Sequence, residues 1–101
     1  MKYIQHISPI AHQDIKEIFE YILTDSKTSA KNQAEMIYNA INRLLEFPFS
    51  GGELNKKIKR KTDYRYFIAA PYIIFYKIEK EFIKIYRVLD GRQDYIKVLE
   101  L

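Results

Sequence analysis

Three runs in the last third of the chain, Tyr64 to Ala69, Tyr72 to Ile78 and Phe82 to Leu89, are dense in β-branched and aromatic residues. Only Ala70-Pro71 and Glu79-Lys80-Glu81 separate them, which is hairpin distance, so the spacing predicts three antiparallel strands in a meander. Upstream the period changes. Ala11, Ile15, Ile18, Phe19 and Ile22 recur at steps of three and four, behind a Ser8-Pro9 start in which serine caps and proline takes the first helical position, where its missing N–H costs nothing. This predicts an amphipathic helix of about four turns ending near Thr24. Asp25 to Ser29 breaks the pattern. Ala30, Ala34, Ile37, Tyr38, Ile41, Leu44 and Leu45 then repeat it up to Phe47-Pro48, predicting a longer second helix folded back on the first.

Residues 2–7, with Tyr3, Ile4 and Ile7, read as a first strand or extended arm, and Tyr95, Ile96, Val98 and Leu99 as a short apolar tail docked on the sheet. The expected fold is α+β: an N-terminal strand, a two-helix antiparallel hairpin, then a three-stranded antiparallel meander completing a sheet packed on the helices. With 101 residues the chain is expected to be one domain, residues 1–101, burying about two-thirds of the surface its unfolded form exposes. Phe47-Pro48-Phe49-Ser50-Gly51-Gly52 supplies the breakers that close the hairpin.

With no cysteine, the chain has no disulfide and no thiolate zinc ligand, and no carboxylate cluster has metal spacing, so neither a metal nor a cofactor is expected. The N-terminus lacks an apolar signal stretch, and no window approaches the roughly 20 apolar residues of a membrane span. The expected location is the cytoplasm, with no membrane partner. The net charge of +4 is unevenly placed: residues 1–55 hold five basic and seven acidic side chains, whereas residues 56–101 hold twelve and six. The positive field therefore belongs to the C-terminal half, which suits polyanions or acidic protein partners.

Five cations in six positions, Lys56, Lys57, Lys59, Arg60 and Lys61, form a segment able to follow a phosphate backbone, or equally a loop or edge strand whose lysines guard against sheet pairing. Arg65, Arg87 and Arg92 stand among apolar strand residues, where a guanidinium needs a carboxylate, phosphate or carbonyl partner. Such a partner is either a ligand or an internal Asp63, Asp90 or Asp94. Strict alternation groups Ile83, Ile85, Arg87 and Leu89 against Phe82, Lys84, Tyr86 and Val88, and Ile73 and Phe75 against Tyr72, Ile74, Tyr76 and Ile78. One face then meets the helices. The other is expected to be an open face lined with tyrosines, suited to base and phosphate contact, although tyrosines also serve as ordinary strand formers with one wet end. His6 and His12 lie away from the basic half without the companions that base catalysis needs, and read as ordinary histidines. No serine sits in a Gly-flanked elbow, and with only three glycines there is no glycine-rich phosphate loop.

The ending Pro71-Tyr72-Ile73-Ile74-Phe75-Tyr76-Lys77-Ile78, then Ile85-Tyr86-Arg87-Val88-Leu89-Asp90-Gly91-Arg92, resembles the RelE/ParE superfamily, the toxins of bacterial type II toxin-antitoxin pairs. In that pattern an aromatic-rich strand leads into one closing on arginine-valine-leucine. Asp14 to Ile22 is similar to the family's first helix, and Arg65 occupies the arginine position before the central hairpin. The resemblance spans nearly the whole chain. It implies a small cognate antitoxin whose helix or strand lies across the hairpin and sheet edge, and one of two targets. A RelE-type member would be a ribosome-dependent endonuclease on mRNA, with Arg65 and Arg92 stabilising phosphate charge, the Lys56 to Lys61 run clamping the backbone and Tyr95 as acid or base. A ParE-type member would inhibit DNA gyrase without a catalytic set, using Lys56, Lys57, Lys59, Arg60, Lys61, Arg65, Arg87 and Arg92 as contacts. RelE-type nucleases place an arginine directly after the central-strand aromatic, where this chain has Ile73, and the long helical hairpin is nearer the ParE branch. A third reading is an inactive toxin fold kept as a binding module.

Overall fold

A computed structural model describes residues 2–101. The chain runs β1 (Ile4–Ile7), α1 (Pro9–Leu23), α2 (Lys27–Glu46), β2 (Gly52–Glu53), α3 (Leu54–Ile58), β3 (Arg65–Ala69), β4 (Tyr72–Glu79), β5 (Phe82–Asp90) and α4 (Tyr95–Val98). The sheet is open, mixed and five-stranded, in the order β1-β5-β4-β3-β2, with β1 parallel to β5 and the other pairs antiparallel. The helical hairpin and the meander lie where the apolar spacing places them. Ser8 does cap α1, its Oγ accepting the Ala11 N–H at 3.0 Å with Pro9 at the first position, and Ser26 caps α2 through the Ser29 N–H.

The main core forms between the α1–α2 hairpin and one sheet face, from Ala11, Ile15, Ile37, Ile41, Leu44 and Leu45 against Tyr72, Ile74, Tyr76, Ile83, Ile85 and Val88. Alternation on β4 holds throughout, with Ile73 and Phe75 facing the opposite way. On β5 it does not. The register passes from Phe75 opposite Arg87 to Tyr76 opposite Ile85, leaving Tyr86 without a partner. This one-residue bulge shifts the pleat by half a period, so Val88 joins Ile83 and Ile85 on the helix side while Leu89 turns to the other.

The second face is not the open tyrosine surface expected from the sequence. Leu54, Ile73, Phe75 and Leu89 are buried there beneath Ile58, Tyr66, Tyr95, Val98, Leu99 and Leu101. α3 and the C-terminal tail thus build a second, smaller core, and the tail docks as its apolar spacing predicted. The Lys56 to Lys61 run is likewise neither a loop throughout nor an edge strand. Lys56 and Lys57 lie in α3, which Lys59 ends in the left-handed region at φ 56°, while the edge strand is the two-residue β2 just before it. Leu54 explains the helix: burying that side chain completely against Phe75 requires the chain to turn inward immediately after β2.

Candidate interaction surface

The arginines meet three different fates. Arg87 lies at the bulge, beyond the point where β1 stops covering the β5 edge, and its Nε and Nη2 donate to the two carboxylate oxygens of Asp14 at 2.8 Å each. Asp14 Oδ2 also accepts the Val88 N–H at 3.0 Å, and the Ser8 Oγ donates to the Tyr86 carbonyl at 3.0 Å, so α1 and its cap satisfy the edge that β1 leaves free. Arg87 is accordingly held in its charged form by the hydrogen bond to Asp14. A carboxylate at position 14, inside the stripe Ala11, Ile15, Ile18, was the sequence signal for this pair. An acid on an apolar helix face needs a cationic partner.

Arg92 is exposed and closed on Asp90 by two side-chain bonds, at 3.0 and 2.7 Å, with its own N–H donating to Asp90 Oδ1 as well. These bonds hold the Asp90 carboxyl at about 2, well below the ordinary carboxylate value. A pKa lowered by folding contributes stability above the unfolded value near 3.8 and loses it as pH falls through about 2. Solvent screening at this site keeps that contribution small. In a carbon-detected NMR titration, Asp90 is expected to have a midpoint near 2, moving toward the ordinary value in Arg92→Gln. An ordinary midpoint in the unmodified protein would mean that the pair does not form in solution.

Arg65 differs from both, having no ion pair among the described residues. Its Nη2 donates to the Gly51 carbonyl at 2.8 Å, its Nε approaches Tyr76 Oη at 3.4 Å, and its guanidinium lies 5.1 Å from the centre of the Phe49 ring. Tyr76, fully buried, donates in turn to the Pro48 carbonyl at 2.7 Å. Asp63, one of the acids open to Arg65 by sequence, instead binds Lys77 at 2.9 Å, and Asp94 caps α4. Removing the Tyr76 hydroxyl leaves the Pro48 carbonyl short of its donor, so Tyr76→Phe is expected to cost about 1–3 kcal/mol by urea unfolding. A loss below about 0.5 kcal/mol would show that water replaces the hydroxyl.

The basic run is spread over the α3 end of the molecule. Lys56 is paired with Glu53 at 2.7 Å, Lys57 lies over the Tyr66 ring at 5.2 Å, and Arg60 donates to the Leu101 carbonyl at 2.7 Å. Lys59 and Lys61 are exposed and have no ion pair among the described residues. Tyr95 packs against Phe75 at the margin of the second core, ring centres 5.2 Å apart and planes tilted by 39°. Register separates Arg65 from Arg92. Arg65 pairs with Tyr76 and Asp90 with Tyr72, four residues along β4 or about 13 Å, on strands at opposite sides of β4. A cleft of about 330 Å³ between α1 and the ends of β4 and β5 is lined by Tyr21, Tyr72, Asp90 and Arg92, and takes in neither Arg65 nor Tyr95. Burial raises the Tyr72 hydroxyl, so it stays protonated.

The chain is thus a helical hairpin packed on an open mixed sheet, with Arg87 and Arg92 beside one cleft and the Lys56 to Lys61 run at the α3 end. The family model for the ParE toxin of the type II toxin-antitoxin system, parDE, matches residues 6–95, and the chain belongs to that family. Among solved structures, one from the chromosomal ParDE toxin-antitoxin system of P. aeruginosa superimposes with a TM-score of 0.73 at 14% identity, covering 88% of this chain and 96% of that one. That likeness is one of fold. No curated protein sequence matches the chain.

Proposed function

We propose that this protein is a growth-arresting toxin that acts in the cytoplasm by binding and inhibiting DNA gyrase, and that a small cognate antitoxin neutralises it. The observation that carries the choice of target is the dispersal of the candidate catalytic groups. Arg65 is turned toward the Gly51 carbonyl, Arg92 is closed on Asp90 about 13 Å further along the sheet, and Tyr95 is half-buried with its ring tilted against Phe75. Message cleavage needs these groups around one phosphate. A binding inhibitor needs only a surface, and Lys59 and Lys61, unpaired among the described residues, supply exposed charge for one, with Arg92 exposed beside its Asp90 partner. Arg87 supports α1 in this reading, and Arg65 shapes the loop it binds. The partner surface for the antitoxin includes the sheet edge, since β2 covers only Arg65 and Tyr66 of β3 and leaves the strand open from Phe67 to Ala69, with Ile68 exposed.

The test is supercoiling by purified gyrase with the protein titrated in, beside in vitro translation with the message monitored. Loss of supercoiling with intact message is expected. Cleaved message with normal supercoiling would refute gyrase inhibition and return Arg65, Arg92 and Tyr95 to a catalytic role, while no effect in either assay would indicate an inactive binding module.

A further inference from the structure

We propose that Phe47 and Phe49, presented on the turn after α2, are the docking point for the antitoxin, engaging a segment in which apolar side chains are flanked by carboxylates. Both rings are exposed, at 56% and 68%, within three residues of chain. Between them Pro48 is held from beneath by the buried Tyr76 hydroxyl, Ser50 closes the turn through its N–H and Oγ on the Phe47 carbonyl at 3.0 and 2.7 Å, and Arg65 fixes Gly51. Gly51 admits no side chain: a Cβ there would collide with the Tyr66 carbonyl and stand 2.6 Å from Tyr76 Oη. A turn braced at Phe47, Pro48, Ser50 and Gly51 loses little freedom on binding, so its aromatic area converts into affinity efficiently.

The cations indicate the partner's chemistry. Arg43 lies 6.0 Å from the Phe47 ring centre and Arg65 lies 5.1 Å from that of Phe49. Neither arginine has an ion pair among the described residues, whereas Arg87 and Arg92 are both closed on aspartates. Exposed aromatics backed by guanidiniums that make no ion pair have the composition of an interface hot spot, and the acids beside them, Glu46 and Glu53, are bound to Lys2 and Lys56 instead. The surface continues from Phe47 into a mixed groove of about 490 Å³ between α2 and the open part of β3, where Met36, Ala40 and Phe67 supply apolar contact beside Asn39, Arg43 and Glu46. This rests on the toxin-antitoxin reading for the identity of the partner but not on gyrase as the target.

The test measures binding of the purified full chain to its purified antitoxin by calorimetry at two salt concentrations, without gyrase present, so that failure of the gyrase reading leaves this result independent. Phe47→Ser with Phe49→Ser is expected to weaken binding by a hundredfold or more, and Arg43→Glu by tenfold or more with a shallower salt dependence. Growth arrest by the double variant should persist and no longer be relieved by the antitoxin. Should the double variant lose its near-ultraviolet dichroism, Arg43→Glu decides alone. Binding within threefold of the unmodified protein in the folded variants would overturn the proposal, as would growth arrest lost with antitoxin affinity intact, which would give the turn to the target.

Discussion

Asp14→Ala is expected to lower stability by about 3 kcal/mol, roughly 15 °C in melting temperature for a chain of this size. The change removes two bonds to Arg87 and the acceptor for the Val88 N–H together, and leaves a partly buried guanidinium without its carboxylate. A quarter of the Arg87 side chain still reaches water, which keeps the cost toward the lower end of that for a broken buried pair. Asp14→Asn retains an oxygen that can accept from Val88, so it should lose less. Because the pair joins α1 to β5 across 73 residues, the loss should appear as a cooperative fall in the midpoint of the whole unfolding transition. A loss below 1 kcal/mol for Asp14→Ala would mean that solvent already replaces the pair.

Phe75→Ala should cost about 3–5 kcal/mol. Phe75 is fully buried on the face opposite the helical hairpin, between Leu54 of α3 and Tyr95 of α4, so the cavity opens in the smaller core. Amide hydrogen exchange should then rise first in residues 54–58 and 95–101, while α1 and α2 keep their protection until global unfolding. That pattern separates the second core from the first. Exchange rising equally everywhere would mean that the two faces unfold as one unit, and a loss near 1 kcal/mol would mean that the covering segments collapse into the space.

Much of this fold was legible because its signals are local. Ser8-Pro9 and the three-and-four spacing of Ala11, Ile15 and Ile18 depend only on residues within one turn of each other, and the β4 alternation of Ile73 and Phe75 against Tyr72, Ile74 and Tyr76 depends only on the pleat. The bulge at Tyr86 escaped because strict alternation assumes an unbroken register, and it redistributed Arg87, Val88 and Leu89. The candidate surface was legible in composition but not in arrangement. That Arg65, Arg87 and Arg92 need partners follows from their chemistry, whereas which oxygen each finds does not. Phe47 and Phe49 read as punctuation around a proline, since nothing in the sequence says that Tyr76 and Arg65 would brace that turn outward.

By itself, the order of residues determined the helical hairpin, the meander, the basic C-terminal half and the family pattern, because periodicity, capping and composition act over a few neighbouring residues. Only the tertiary structure decided that β1 lies parallel on β5, that α3 joins the tail in covering the second sheet face, and that Asp14 meets Arg87. Those outcomes depend on which surfaces remain unpaired once the sheet has formed: a free strand edge, an apolar face and a guanidinium each recruit a partner from far along the chain, where local spacing carries no information about distance in space.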